Sequence, residues 1–167
     1  MEIDSLRKLF VEELKDLHSA ERQLIQALPR MAKKASNNQL RSAFELHLQE
    51  TRRQVERLDQ IFEKLGKKGM GKKCKGMEGL IEEAKEMMGE DMEPEVMDAA
   101  LISAAQRVEH YEIAGYGTVR TYAQLLGEKD AAKLLQQTLD EEGQTDKKLT
   151  QLAETSINVQ AMEGAEK

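Results

Sequence analysis

Apolar residues recur every three or four positions over four long stretches of this chain, and that period decides the fold class. The first stripe is Leu6, Phe10, Leu14, Leu17, Leu24, Leu28 and Met31; the second is Leu40, Phe44, Leu48, Val55, Leu58, Phe62 and Leu65. A third amphipathic segment runs from about Glu95 to Leu126, and a fourth follows Ala132, Leu135, Leu139, Leu149 and Leu152 to about Ile157. Two prolines and 4% aromatic residues leave little to make strands, so the chain is read as all-α. Pro29 falls inside the first stripe, where it removes a backbone donor, and predicts a kink near residues 25 to 29 within one helix. Ser36-Asn37-Asn38 supplies a cap for the second helix, Gly66 ends it, Glu93-Pro94-Glu95 starts the third, and Gly127 closes that one.

The stretch from Gly66 to Pro94 differs from the rest. It holds Gly66, Gly69, Gly71 and Gly76, five lysines between Lys67 and Lys75, and most of the nine methionines. Within it Met77, Leu80, Ile81, Ala84 and Met88 form one narrow face, which predicts a short helix. Two helical hairpins joined by a long connection describe a ferritin-like four-helix bundle with a crossover. The alternative is an up-down-up-down bundle with the short helix laid across its end. Residues 1–157 are read as one domain, residues 66–94 as its connection, and residues 158–167 as a flexible tail. The methionine-rich connection reads as an adaptable cap over the bundle end or a dimer surface.

No apolar run approaches the ~20 residues needed to span a bilayer. The N-terminus enters an amphipathic helix at once, and Cys74 is the lone cysteine, so a reducing cytoplasmic setting is expected. A net charge of -6 argues against nucleic acid as a partner. The Lys67 to Lys75 cluster reads as a solvated loop. Lysines beside Cys74 could lower its thiol pKa, but no resolving cysteine exists for a redox pair.

A shift of 91 residues superposes the first two long helices on the last two without a gap. It pairs His18 with Glu109, Glu21 with Glu112, His47 with Thr138, Glu50 with Glu141, and Thr51 with Glu142. At 100° per residue Glu142 falls in the middle of the fourth stripe, where an uncompensated carboxylate costs several kcal/mol. Glu112 sits on the apolar side of the third helix, with Glu109 one turn before it at the edge. On the second helix His47, Thr51 and Gln54 interrupt the apolar run, with Glu50 at its border. On the first, Glu21 borders the stripe and Glu13 lies nearer its centre.

Several acids share a core as anions only if cations neutralise them or some take up protons. Bundle di-metal sites use one Glu from each of two helices and a Glu with a second ligand from each of the others. Glu21 and Glu112 fit the first role, Glu109 is an extra neighbour, and Glu142 with Asp146 is an i, i+4 pair. Oxygen ligands of this kind suit iron or manganese, with magnesium or calcium also compatible. Taken singly, Glu21, Glu50 and Glu109 also read as solvated border residues. Glu-x-x-His is absent from the second and fourth helices, which leaves His47, His18, Gln54 or none as the nitrogen ligand.

The segments DLHSAERQL (16–24), HLQETRRQVERL (47–58), KKCKGMEGLIEEA (72–84), AALISAAQRVEHYEIAGY (99–116) and LDEEGQTDKKLTQL (139–152) resemble the YciE/YciF stress-protein family. The third and fourth are the most specific, because no packing rule demands them. The resemblance implies a ferritin-like bundle, a bacterial cytoplasmic protein induced by general or osmotic stress, and a homodimer. It also implies rubrerythrin-like carboxylate positions, which fall on Glu21, Glu50, Glu109, Glu112, Glu142 and Asp146. His18 stands where the family usually has tyrosine, and Gln54 where some relatives have histidine. Two functions are therefore expected alternatives: a carboxylate protein holding two metal ions, iron before manganese, that reacts with peroxide or oxygen, or a metal-free dimeric structural or interaction protein.

Overall fold

The computed structural model describes residues 2–164. Its elements are α1 (Leu6–Lys34), α2 (Asn38–Leu65), α3 (Lys75–Gly89), α4 (Pro94–Leu125), α5 (Lys129–Leu152), a π-helical turn (Ala153–Ile157) and α6 (Asn158–Gly164). Local chemistry accounts for most of the boundaries. Ser5 and Asn37 side chains accept from Lys8 N and Leu40 N at 3.3 and 3.0 Å, and Pro94 opens α4 at its first turn. Gly66 and Gly127 take positive φ of 61° and 75°, which a Cβ would strain. α1 runs unbroken through Pro29.

α1 packs on α2 and α4, and α5 packs on α2 and α4, so α1 and α5 are diagonal. The pairs Arg7–Glu128 and Tyr116–Glu21 show that α1 and α4 run antiparallel. Lys64–Asp130 and Arg57–Glu141 show the same for α2 and α5. α2 and α4 therefore point the same way, and the chain from 66 to 93 must travel the length of the bundle. This is the ferritin-like arrangement, and it excludes the up-down-up-down alternative.

α3 is not a cap over the bundle end. It lies lengthwise against α1 and α4, with Met77 fully buried. The pin is polar: Cys74 N–H donates to Ser19 Oγ (2.9 Å), Gln23 Nε2 donates to Cys74 O (3.0 Å), and Tyr111 O–H donates to Asp16 Oδ2 (3.0 Å). Asn158–Gly164, read from sequence as the start of a tail, is helical and packs on α4 together with the π turn. Ile102, which lies on a second apolar row of α4, is buried there among Ala153 and Ile157. Residues 165–167 of the expected tail lie outside the described residues.

The apolar core is in two compartments. One holds Phe10, Leu14, Leu17, Leu58, Ile61, Tyr116, Val119 and Leu135. The other holds Leu24, Leu28, Leu40, Phe44, Leu101, Val108, Leu149 and Ile157. On every long helix the residues between the compartments include buried polar groups: Glu21 on α1, His47, Thr51 and Gln54 on α2, Glu109 and Glu112 on α4, Thr138 and Glu142 on α5.

Candidate metal centre

Each of these groups is placed by its helix. Glu109 and Glu112 are one turn apart on the inward side of α4, Glu142 projects from the centre of the α5 stripe, and His47 sits one turn before Thr51 on α2. One ligand atom from each of His47, Glu109, Glu112 and Glu142 lies within 4.8 Å of the others. His47 Nδ1 is 3.0 Å from Glu109 Oε1, and its Nε2 is 3.8 Å from Glu142 Oε2. Glu21 lies beside Glu112, outside the quartet, and its Oε1 accepts from Tyr116 O–H at 2.5 Å.

All four glutamates are 1% exposed or less. Neither oxygen of Glu109, Glu112 or Glu142, nor Oε2 of Glu21, makes a hydrogen bond among the described residues, and the 3.0 Å approach of His47 Nδ1 to Glu109 is not aligned as one. Burial pushes the carboxyls of Glu21 and Glu109 up to about 8, and the neighbouring carboxylates add to that. Glu112 and Glu142 are raised well above the ordinary carboxylate range for the same two reasons, burial first. Without a cation the layer must therefore hold protons.

The residues fit a divalent first-row metal. Four carboxyl groups supply hard oxygen donors, one imidazole supplies nitrogen, and oxygen-rich sets with one imidazole suit iron or manganese. The unpartnered oxygens are the observation that matters, since a cation gives each of them a partner.

Two sequence candidates lie elsewhere. Glu50 is half-buried and accepts from Thr145 Oγ1 at 3.4 Å. Asp146 faces α4, where His110 Nε2 (3.2 Å) and Gln106 Nε2 (3.3 Å) reach its carboxylate. His18 is also outside, 2.9 Å from Asp59 and edge-on to Phe62. Gln54 borders the layer, but its Nε2 donates to Glu141, which is gripped by Arg57 at 2.6 and 2.8 Å. The helical wheel underrated Glu21 and Glu109, which are fully buried, and overrated Glu13, which is half-buried. Tyr116 carries no role in the sequence reading, and nothing in its spacing signals the hydroxyl contact with Glu21.

Residues 5–162 match the family model described as a domain of unknown function, DUF892. The protein YciF of Escherichia coli K12 is 49% identical over 162 residues, which is 96% of this chain and 98% of YciF. The chain belongs to the YciF family. The crystal structure of the E. coli stress protein YciF superposes with a TM-score of 0.90 at 50% identity, over 93% of this chain and 99% of that one. YcfI of Rhodopseudomonas palustris, for which a structural role has been suggested, gives 0.87 at 44% identity over 89% and 95%. A Xanthomonas campestris protein at 20% identity and a TM-score of 0.78 shares the fold. No helix among the described residues is long and apolar enough to cross a membrane.

Proposed function

We propose that this YciF-family protein is a cytoplasmic stress-response protein whose polar layer holds two metal ions, iron before manganese. The carrying observation is the set of buried carboxylate oxygens with no donor, gathered around one imidazole. Keeping such groups in a core costs several kcal/mol unless something compensates them. His47, Glu109, Glu112 and Glu142 would hold one ion. Glu21, next to Glu112, would extend the set to a second, with Tyr116 fixing one Glu21 oxygen and leaving the other free to bind. Glu50 and Asp146 would stand just outside. A bound iron pair would supply the electrons for reducing peroxide or oxygen. The protein's own contribution would be the dry apolar compartments on either side, which keep solvent from the layer.

The test is metal analysis of chelator-treated protein after anaerobic loading with iron(II) or manganese(II), together with melting curves. Up to two equivalents and a melting temperature that climbs with metal concentration are expected, because a ligand of the native state alone raises stability. Substoichiometric metal with an unchanged melting curve overturns the reading.

The second reading is a metal-free structural or interaction protein, in which burial raises the carboxyls and protons neutralise the layer in place of a cation. Under either reading the chain is expected to form a symmetric dimer.

A further inference from the structure

Between α4 and the C-terminal segment lies an open pocket of about 360 Å³, lined by Ser103, Gln106, Arg107 and His110 of α4 and by Ala153 and Asn158. Gln106 and His110, which line it, both reach Asp146, a residue just beside the pocket. The Asp146 side chain is 20% exposed, which puts its carboxylate between solvent and the buried layer. Inward, Asp146 follows Glu142 by one helical turn, a spacing that sets Cβ atoms about 6 Å apart. Its charge is also felt at Glu109, the neighbour of His110 in sequence. Asp146 thus stands between an outer pocket and two members of the quartet, Glu142 and Glu109, each with both oxygens lacking a hydrogen-bond partner. The π turn shapes this opening, because it sets the direction in which the chain leaves α5 and passes over α4.

We infer that this pocket is the mouth through which a divalent cation reaches the buried layer, and that Asp146 is a transit ligand rather than a member of the final set. The inference rests on the metal-binding reading. On the opposite flank of α5, the α2 side, Arg57, Glu141 and Gln54 are bonded to one another across the α2–α5 seam, which closes that approach. Arg107 in the pocket opposes an incoming cation, so its charge and that of Asp146 beside it should act on the loading rate with opposite signs.

The experiment uses the full-length metal-free chain and cobalt(II) as the probe. The visible absorption of bound cobalt is followed by stopped flow, and the final metal content is measured after desalting. Asp146→Asn should slow loading by about tenfold and Arg107→Gln should speed it, each with wild-type final content. Asp140→Asn, an exposed charge elsewhere on α5, should load at the wild-type rate. A generally misfolded variant does not load faster, so the Arg107 arm keeps the test decisive. Unchanged rates in both pocket variants overturn the route, as does slowing by Glu50→Gln in place of Asp146→Asn. A loss of final content in Asp146→Asn makes Asp146 a ligand and also overturns it. A wild-type chain that takes up no cobalt removes the metal-binding reading and the route together.

Discussion

Glu142 separates the two functional readings most sharply. As a metal ligand it is a liability to the metal-free protein, so Glu142→Gln should leave the chelated chain as stable or more stable while metal content collapses. As a structural acceptor for His47 it should cost ~1–3 kcal/mol on substitution and leave metal content alone. Chemical denaturation and metal analysis of the same preparation decide between them. A pH prediction follows from the neighbouring acids. Glu21 and Glu109 titrate near 4.5 when unfolded and at about 8 when folded, so the native state binds the extra protons. Their stabilisation is complete below about 4.5 and is lost as pH rises through 8, so the melting temperature of the chelated protein should fall between pH 5 and pH 8. A flat profile over that range would mean that the layer is neutralised in some other way. The inward placement of Glu142, Glu112 and His47 was legible in the sequence, because each interrupts a strong stripe. Glu109 and Glu21 were harder to place: a few degrees of wheel error per residue, accumulated over a helix of 29 or 32 residues, moves a border position into the core or out of it.

At the scale of elements, the docking of α3 depends on close approach. A Cβ on Gly76 would meet Tyr111 Cε2 at 2.6 Å and its hydroxyl at 2.8 Å, and Asp16 and Cys74 hold that ring in place. Gly76→Ala should cost about 1–3 kcal/mol and should speed amide exchange over Lys75–Gly89 more than over α5. Cys74, by contrast, is a buried cap: its Sγ accepts from Met77 N–H at 3.4 Å, and burial raises its thiol pKa rather than the lysines lowering it. Exposed thiol chemistry is not its role, and a thiol reagent should react with it only after denaturation. The length of the crossover and its short helix were legible from Gly66 and the Met77 to Met88 face. Its path was not, because the groove is chosen by single polar contacts from Asp16, Ser19, Gln23 and Tyr111, residues with no pattern of their own. The packing of Asn158–Gly164 on α4 was hidden for a similar reason: past Ile157 the segment has too few apolar residues to register as a stripe.

For the whole molecule, the apolar surface left over bears on assembly. Ile102 is covered by the chain's own C-terminal segment, yet Leu46, Val96, Val159 and Met162 remain 37% to 63% exposed. Light scattering at micromolar concentration should give twice 18.9 kDa, and a stable monomer at that mass would refute the dimer. The bundle class was legible from periodicity alone; its topology was settled only by the antiparallel contacts of α1 with α4. That topology has a kinetic consequence. Each hairpin closes through a short local turn, but the seams between hairpins join residues as far apart as Tyr116 and Glu21 or Glu141 and Gln54. Such distant contacts are slow to form. One hairpin brings Glu21 and His47, the other Glu109, Glu112 and Glu142, so neither half buries a complete set of acids by itself. Docking of the two hairpins brings like charges together, so the rate of assembly, as well as the stability of its product, should respond to protons and divalent cations in the surrounding solution.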